Sequence, residues 1–98
     1  MTLTKTTNGS ELTIAAEGRI DTATAPELEQ TIKDSVDGAD SLVLDLAQVS
    51  YISSGGLRVL LSAHKIMSKK GGMTVTNAGD NIMEIFEVTG FSDILNIK

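Results

Sequence analysis

Two adjacent serines followed by two glycines, Ser53-Ser54-Gly55-Gly56, are the residues of this chain with the most chemistry to offer. Ahead of them, Leu42-Val43-Leu44-Asp45-Leu46 and then Val49-Ser50-Tyr51-Ile52 read as a buried strand. Behind them, Arg58, Ser62, Lys65 and Lys69 are spaced by 4, 3 and 4 residues, one polar stripe on a helix, while Leu57, Val59, Leu60, Leu61, Ala63, Ile66 and Met67 cover the remainder. The serines therefore sit where a strand turns into a helix. Ser53 or Ser54 is the natural N-cap, because a serine oxygen accepts from the unpaired amides of the first turn, and Gly71-Gly72 after Lys65, Lys69 and Lys70 is the natural stop. A hydroxyl in this place has two uses. One is capping alone. The other is phosphorylation of Ser54, since bare amides and the positive end of the helix dipole stabilise an added dianion, and about two negative charges then appear on a small apolar-rimmed patch.

Other chemistries have fewer of their parts. A serine nucleophile needs a base within hydrogen-bond reach, and the single histidine, His64, lies ten residues beyond Ser54, roughly 15 Å along a helix axis. His64 is expected as a partly buried helix residue. The glycines match neither the phosphate loop nor the dinucleotide fingerprint. Asp45 has no second carboxylate or histidine spaced to join it, so it reads as a turn or hydrogen-bonding residue at a strand end and not as a metal ligand. Met67, Met73 and Met83 read as core filling. Neither a cofactor nor an enzymatic activity is expected.

The elements that must position the serines follow from pattern and composition. Ninety-eight residues make one domain, 1–98, able to bury roughly two thirds of the surface of its unfolded chain. The absence of cysteine excludes disulfides, thiolate metal sites and cysteine nucleophiles, and fits a reducing compartment. Eight basic against thirteen acidic residues give a net charge of −5, the wrong sign for a phosphate backbone, so the expected partners are proteins and not nucleic acid. No apolar run reaches the length of a membrane span, and Met1-Thr2-Leu3-Thr4-Lys5 lacks the apolar segment of a secretory signal. A cytoplasmic protein without direct membrane insertion, a monomer or weak dimer, is the expectation.

Leu3 to Thr7 and Glu11 to Ile20 flank Asn8-Gly9 and predict a hairpin in which both turn residues adopt positive φ. Leu12, Ile14, Ala16, Gly18 and Ile20 alternate onto one face. Thr24-Ala25-Pro26-Glu27 has the form of a capping box, and Ala25, Leu28, Ile32 and Val36 predict a helix that ends at Gly38. With the run at 41–46 this makes a right-handed βαβ unit. Met73 to Thr76 closes a second one, Asp80 is placed to cap a third helix carrying Ile82, Ile85 and Phe86 and ending at Gly90-Phe91, and Ile94 to Ile97 reads as an edge strand. The fold class is α/β: a mixed sheet of four to five strands, an N-terminal hairpin followed by parallel βαβ units, with helices packed against it.

In three places the wording resembles the STAS domain, specifically the stand-alone bacterial anti-sigma factor antagonists: Gly18-Arg19-Ile20-Asp21, the stretch from Asp45 to Leu57, and Val88-Thr89-Gly90-Phe91. The resemblance covers essentially the whole chain. The family motif reads aspartate, serine, serine or threonine, glycine, leucine, and its first serine is the one that the partner phosphorylates; here that serine is Ser54, with Gly56 and Leu57 after it. Ser53 stands where the family has aspartate, and Gly55 where it has a second hydroxyl residue. The resemblance implies that the unmodified domain binds an anti-sigma factor with serine kinase activity and so releases a sigma factor, that phosphorylation of Ser54 blocks the contact, and that a phosphatase resets it. The implied docking patch comprises Asp21, Thr22, Thr24, Ser53, Gly55, Gly56, Leu57, Arg58 and Ser62, extending towards Lys65. The same domain also occurs as an adaptor subunit of lipid-transporting ABC-type membrane complexes and in stress-sensing scaffolds, and the serine at position 53 keeps those readings open.

Overall fold

The computed structural model describes residues 1–98. Strands β1 (Thr2–Asn8), β2 (Glu11–Ile20), β3 (Ser41–Ile52), β4 (Met73–Thr76) and β5 (Asn96–Ile97) lie side by side in chain order. Only the first pair is antiparallel. The helices α1 (Ala25–Ser35), α2 (Ser54–Met67) and α3 (Asp80–Thr89) are the three crossovers of the parallel strands. Each crossover steps one strand in the same direction, so right-handed connections place all three helices on one face.

Burial follows from that arrangement. Leu12, Ile14 and Ala16 of β2, Leu42, Leu44 and Leu46 of β3, and Met73 and Val75 of β4 share the helix-covered face and join Leu28, Ile32, Leu60, Met67, Ile82 and Phe86 in a single core. On the opposite face Thr13, Ala15, Val43, Asp45, Thr74 and Thr76 are half-exposed. The run at 42–46 is therefore buried on one face only, which explains why its Asp45 is tolerated: the carboxylate reaches the Ala47 amide at 3.0 Å and the Asn77 amide group at 3.1 Å.

Several expectations move by a residue or more. Asn8 is still paired, with Glu11, so the hairpin loop is Gly9-Ser10. Within the hairpin, positive φ occurs only at the first loop residue, Gly9 (+64°), and not at both Asn8 and Gly9 as expected. The two runs at 42–46 and 49–52 form one continuous strand to Ile52, and Asp45 lies inside it and not at its end. The strand passes through two bulges: Ala15 pairs with Asp45 but Glu17 with Gln48, and Gly18 pairs with Val49 but Arg19 with Tyr51. Each bulge gives β3 one extra residue, so its buried positions fall at 42, 44, 46, 49 and 52 instead of strictly alternating. Asp80 does not cap α3; Gly79 occupies that position, and its carbonyl accepts from the Met83 amide. Gly90 (φ +80°) ends α3 in the left-handed region as expected. After it, Phe91–Asp93 form a short 3₁₀ turn, Leu95 is buried, and the edge strand shrinks to two residues.

Helix α2 packs Leu57, Val59, Leu60, Ala63 and Met67 inward and leaves Arg58 and Lys65 in solvent. Leu57→Asp would place an unpaired carboxylate in the core at a cost of about 3 kcal/mol or more. Thermal unfolding followed by circular dichroism is expected to show a midpoint lowered by more than about 10 °C; an unchanged midpoint would show that Leu57 does not face the sheet.

Candidate functional site

The mouth of α2 is built from the ends of two neighbouring strands. Ile20 and Ile52 are paired as the last residues of β2 and β3, and the Ser53 amide donates to the Ile20 carbonyl at 2.8 Å. The chain then turns at once into α2. Ser53 is extended (φ −94°, ψ 175°), and its Oγ accepts from the Gly56 amide at 3.3 Å while its carbonyl accepts from the Leu57 amide at 2.9 Å. Of the two serines, Ser53 is thus the cap and Ser54 the first helical residue. The amides of Ser54 and Gly55 are left over, directed out of the helix end. Ser54 is exposed, and its hydroxyl makes no hydrogen bond within the chain.

Ser53 stands where the pattern that the sequence resembles has aspartate. Aspartate and serine are near-equivalent N-caps, each offering an oxygen to the amides of the first turn. The structural duty open to an aspartate at this position is carried out by the serine.

Gly56 and Leu57, expected as partner contacts, are buried instead. A Cβ on Gly56 would stand 2.6 Å from Ile20 Cγ2 and 2.7 Å from Ile52 Cγ1, well inside van der Waals contact. The second glycine therefore lets the helix close onto the sheet, and Leu57 follows it into the core. Gly55 differs: its Cβ would meet only Ser53 Oγ at 3.6 Å and the Thr22 Cα at 4.0 Å. That second distance brings the loop after β2 against the mouth of α2.

The loop itself, 21–24, is held by a reciprocal cap. The Asp21 carboxylate accepts from the amides of Ala23 (3.0 Å) and Thr24 (3.1 Å), and the Thr24 hydroxyl accepts from the Asp21 amide (2.9 Å) while donating to the Arg19 carbonyl (2.6 Å). The expected capping box at 24–27 is absent, for Thr24 makes no side-chain bond to the amides of α1. The same device occurs three residues earlier with Asp21 as its cap. The Thr24 amide is the chief reason that the Asp21 carboxyl lies below the ordinary aspartate range; partial desolvation opposes it, and the Ala23 amide, the Thr24 hydroxyl and the Arg19 guanidinium add to the lowering.

Two residues join the patch that sequence reasoning left out. Arg19 approaches the Asp21 carboxylate at 3.7 Å and lies over the Tyr51 ring at 4.5 Å from its centroid. The signal was present in the order of residues, but only the second bulge, at Ser50, sets Tyr51 beside Arg19. With Arg58 on the exposed side of α2, both arginines of this acidic chain are on the two segments that meet here. Thr22 is exposed, Thr24 and Ser62 are half-exposed, and Lys65 is exposed further along the helix. His64 is half-buried on α2, with its Nδ1 enclosed and unpaired. No three His, Cys, Asp or Glu side chains come together as a metal-binding group, and no helix is long and apolar enough to cross a membrane.

Comparison with known proteins gives concordant findings. The family model described as the STAS domain matches residues 2–98. The anti-sigma-B factor antagonist of Bacillus subtilis is 30% identical over 92 residues, 93% of this chain and 84% of that protein. Its namesake in Listeria monocytogenes is 34% identical over 87 residues, 87% of this chain and 76% of that one. The crystal structure of an anti-sigma factor antagonist from Mycobacterium paratuberculosis superposes with a TM-score of 0.89 at 29% identity, over 98% of this chain and 83% of the other.

Because the folded pKa of Asp21 is depressed, its contribution to stability is fully present above the unfolded value, about 3.9, and is lost as pH falls through the lower folded value. Asp21→Ala is therefore expected to lower the thermal midpoint at pH 7, with the gap to wild type closing as the pH is taken below about 4. A gap that stayed constant down to pH 2 would show that the ionised carboxylate is not what holds the loop.

Proposed function

The chain belongs to the STAS domain family, and we propose that it is an anti-sigma factor antagonist, switched by phosphorylation of Ser54. The unmodified domain docks on an anti-sigma factor through Thr22, Thr24, Ser53, Ser54, Gly55, Arg58 and Ser62, and the sigma factor that this partner held is set free. Gly56 and Leu57 serve the same surface from beneath, by fixing where the helix begins.

The observation that carries this reading is the exposure of Ser54 at the first position of α2, unbonded and beside two unused amides. Phosphoryl transfer needs a hydroxyl that can enter another protein's active site. Ser54 Oγ attacks the γ-phosphorus of kinase-bound ATP, its proton passes to a base that the kinase supplies, and ADP leaves. The two free amides and the helix dipole then stabilise the phosphate, so modification does not strain the fold. Docking, in contrast, must now bury a dianion where a neutral hydroxyl stood, and the desolvation cost together with repulsion from any partner carboxylate weakens it. Hydrolysis by a separate phosphatase restores the hydroxyl. The relatives named anti-sigma-B factor antagonists, at 30% and 34% identity, support the partner class. The chain itself contributes binding and a modifiable hydroxyl, and no catalytic group of its own.

Calorimetry with the anti-sigma factor is expected to give wild-type affinity for Ser54→Ala and an affinity at least about tenfold lower for Ser54→Asp, which brings charge into the contact. Intact mass after incubation with kinase and ATP should show one added phosphate on wild type and none on Ser54→Ala. Equal affinities for the two variants would contradict the switch, as would capture of a transporter ATPase in place of an anti-sigma factor.

A further inference from the structure

We infer that Arg58 takes hold of the phosphate on Ser54, so that modification removes a cation from the docking surface at the same moment as it adds an anion. The inference rests on the reading of Ser54 as the phosphorylated residue and adds to it the residue that receives the charge.

The placement comes from α2 itself. Positions 54 and 58 are four apart on one helix, which sets their Cβ atoms about 6 Å from each other on the same face. Side chains on a helix tilt towards its N-terminus, so Arg58 leans back over the first turn, where Ser54 stands. Nothing lies between them: Gly55 has no side chain, and Gly56 and Leu57 are buried. Both Ser54 and Arg58 are exposed.

Arg58 is also uncommitted. The ion pairs of the structure are Arg19 with Asp21 and Lys33 with Glu29. Arg19 is further engaged by the Tyr51 ring, and Arg58 makes neither an ion pair nor a side-chain hydrogen bond. In a chain with two arginines and a net charge of −5, this leaves one guanidinium with a free fork of donors, a single turn from the hydroxyl. A phosphate on Ser54 would meet the amides of Ser54 and Gly55 on one side and that fork on the other, and guanidinium pairs with phosphate through two parallel bonds. Asp21 and Arg19 on the neighbouring segment offset each other within their own pair.

In the unmodified chain the Arg58 guanidinium is therefore open to a carboxylate of the partner. Once Ser54 is phosphorylated it is occupied within its own helix. Lysine at this position would keep the charge but not the fork.

The test uses the whole chain with phosphoserine installed at position 54 during translation, so that neither kinase nor partner is needed. Phosphorus-31 NMR titration should give a second phosphate pKa at least about 0.3 lower in wild type than in Arg58→Gln, with Arg58→Lys between them and the difference shrinking in 1 M salt. Amide spectra that overlay outside α2 would show that each variant is folded. Coincident titrations of wild type and Arg58→Gln would overturn the inference while leaving Ser54 as a phosphorylation site intact, because that is decided by phosphate uptake. A second readout concerns the partner: Arg58→Gln is expected to weaken binding of the unmodified chain and to narrow the affinity ratio between unmodified and phosphorylated forms. An unchanged ratio would also count against it.

Discussion

The first turn of α2 leaves no room for a side chain at position 56. With Ile20 Cγ2 and Ile52 Cγ1 each within 2.7 Å of where a Cβ would lie, and the Ser53 amide bonded to the Ile20 carbonyl, the helix starts directly on the ends of two core strands. An ordinary side chain there would have to be accommodated by moving the helix or by displacing Ile20 and Ile52, both of which are fully buried. The position and tilt of the first turn are thus set by the core. What the turn presents to solvent, a serine hydroxyl with two unpaired amides beside it, inherits that rigidity.

The neighbouring loop is fixed by a different force. Asp21 and Thr24 bond to each other's backbone, and the Asp21 carboxylate additionally faces Arg19. Packing holds one half of the surface and hydrogen bonds hold the other, so the two halves respond to different insults: core substitutions for α2, acid for the loop. The arrangement suits a protein that works by being recognised. A docking surface whose groups are already ordered spends little of its binding free energy on ordering them, and a phosphate added to a rigid site alters charge without needing to alter shape.

Much of this was legible in the sequence because it depends on local rules. The alternation in β2, the 3.6-residue stripes of α1 and α2, Gly90 as the end of α3 and the four residues of β4 all follow from periodicity and backbone preference. The errors share a different origin. Asn8-Gly9 was a good turn signal, but pairing of Asn8 with Glu11 lengthened the strand and moved the loop to Gly9-Ser10. Thr24 resembled a cap until the tertiary fold gave its hydroxyl to Asp21 and Arg19. The open face of the sheet could not be told from a covered one, since Val43 is apolar in either case. Of the expected patch, Ser54, Thr22 and Arg58 are exposed, whereas Gly56 and Leu57 are buried. Arg19 and Tyr51 were missed because a bulge, invisible to a two-residue period, brings them together.

If the mouth of α2 is the docking surface, its amides should be the ones that sense the partner. Backbone chemical-shift mapping of the labelled, unmodified chain on addition of the anti-sigma factor measures this directly. The largest changes are expected at 21–24 and 53–58, fading along α2 through Ser62 and Lys65. Changes centred on Thr13, Val43, Thr74 and Thr76 would place the partner on the open face of the sheet and contradict the role given to the helix mouth.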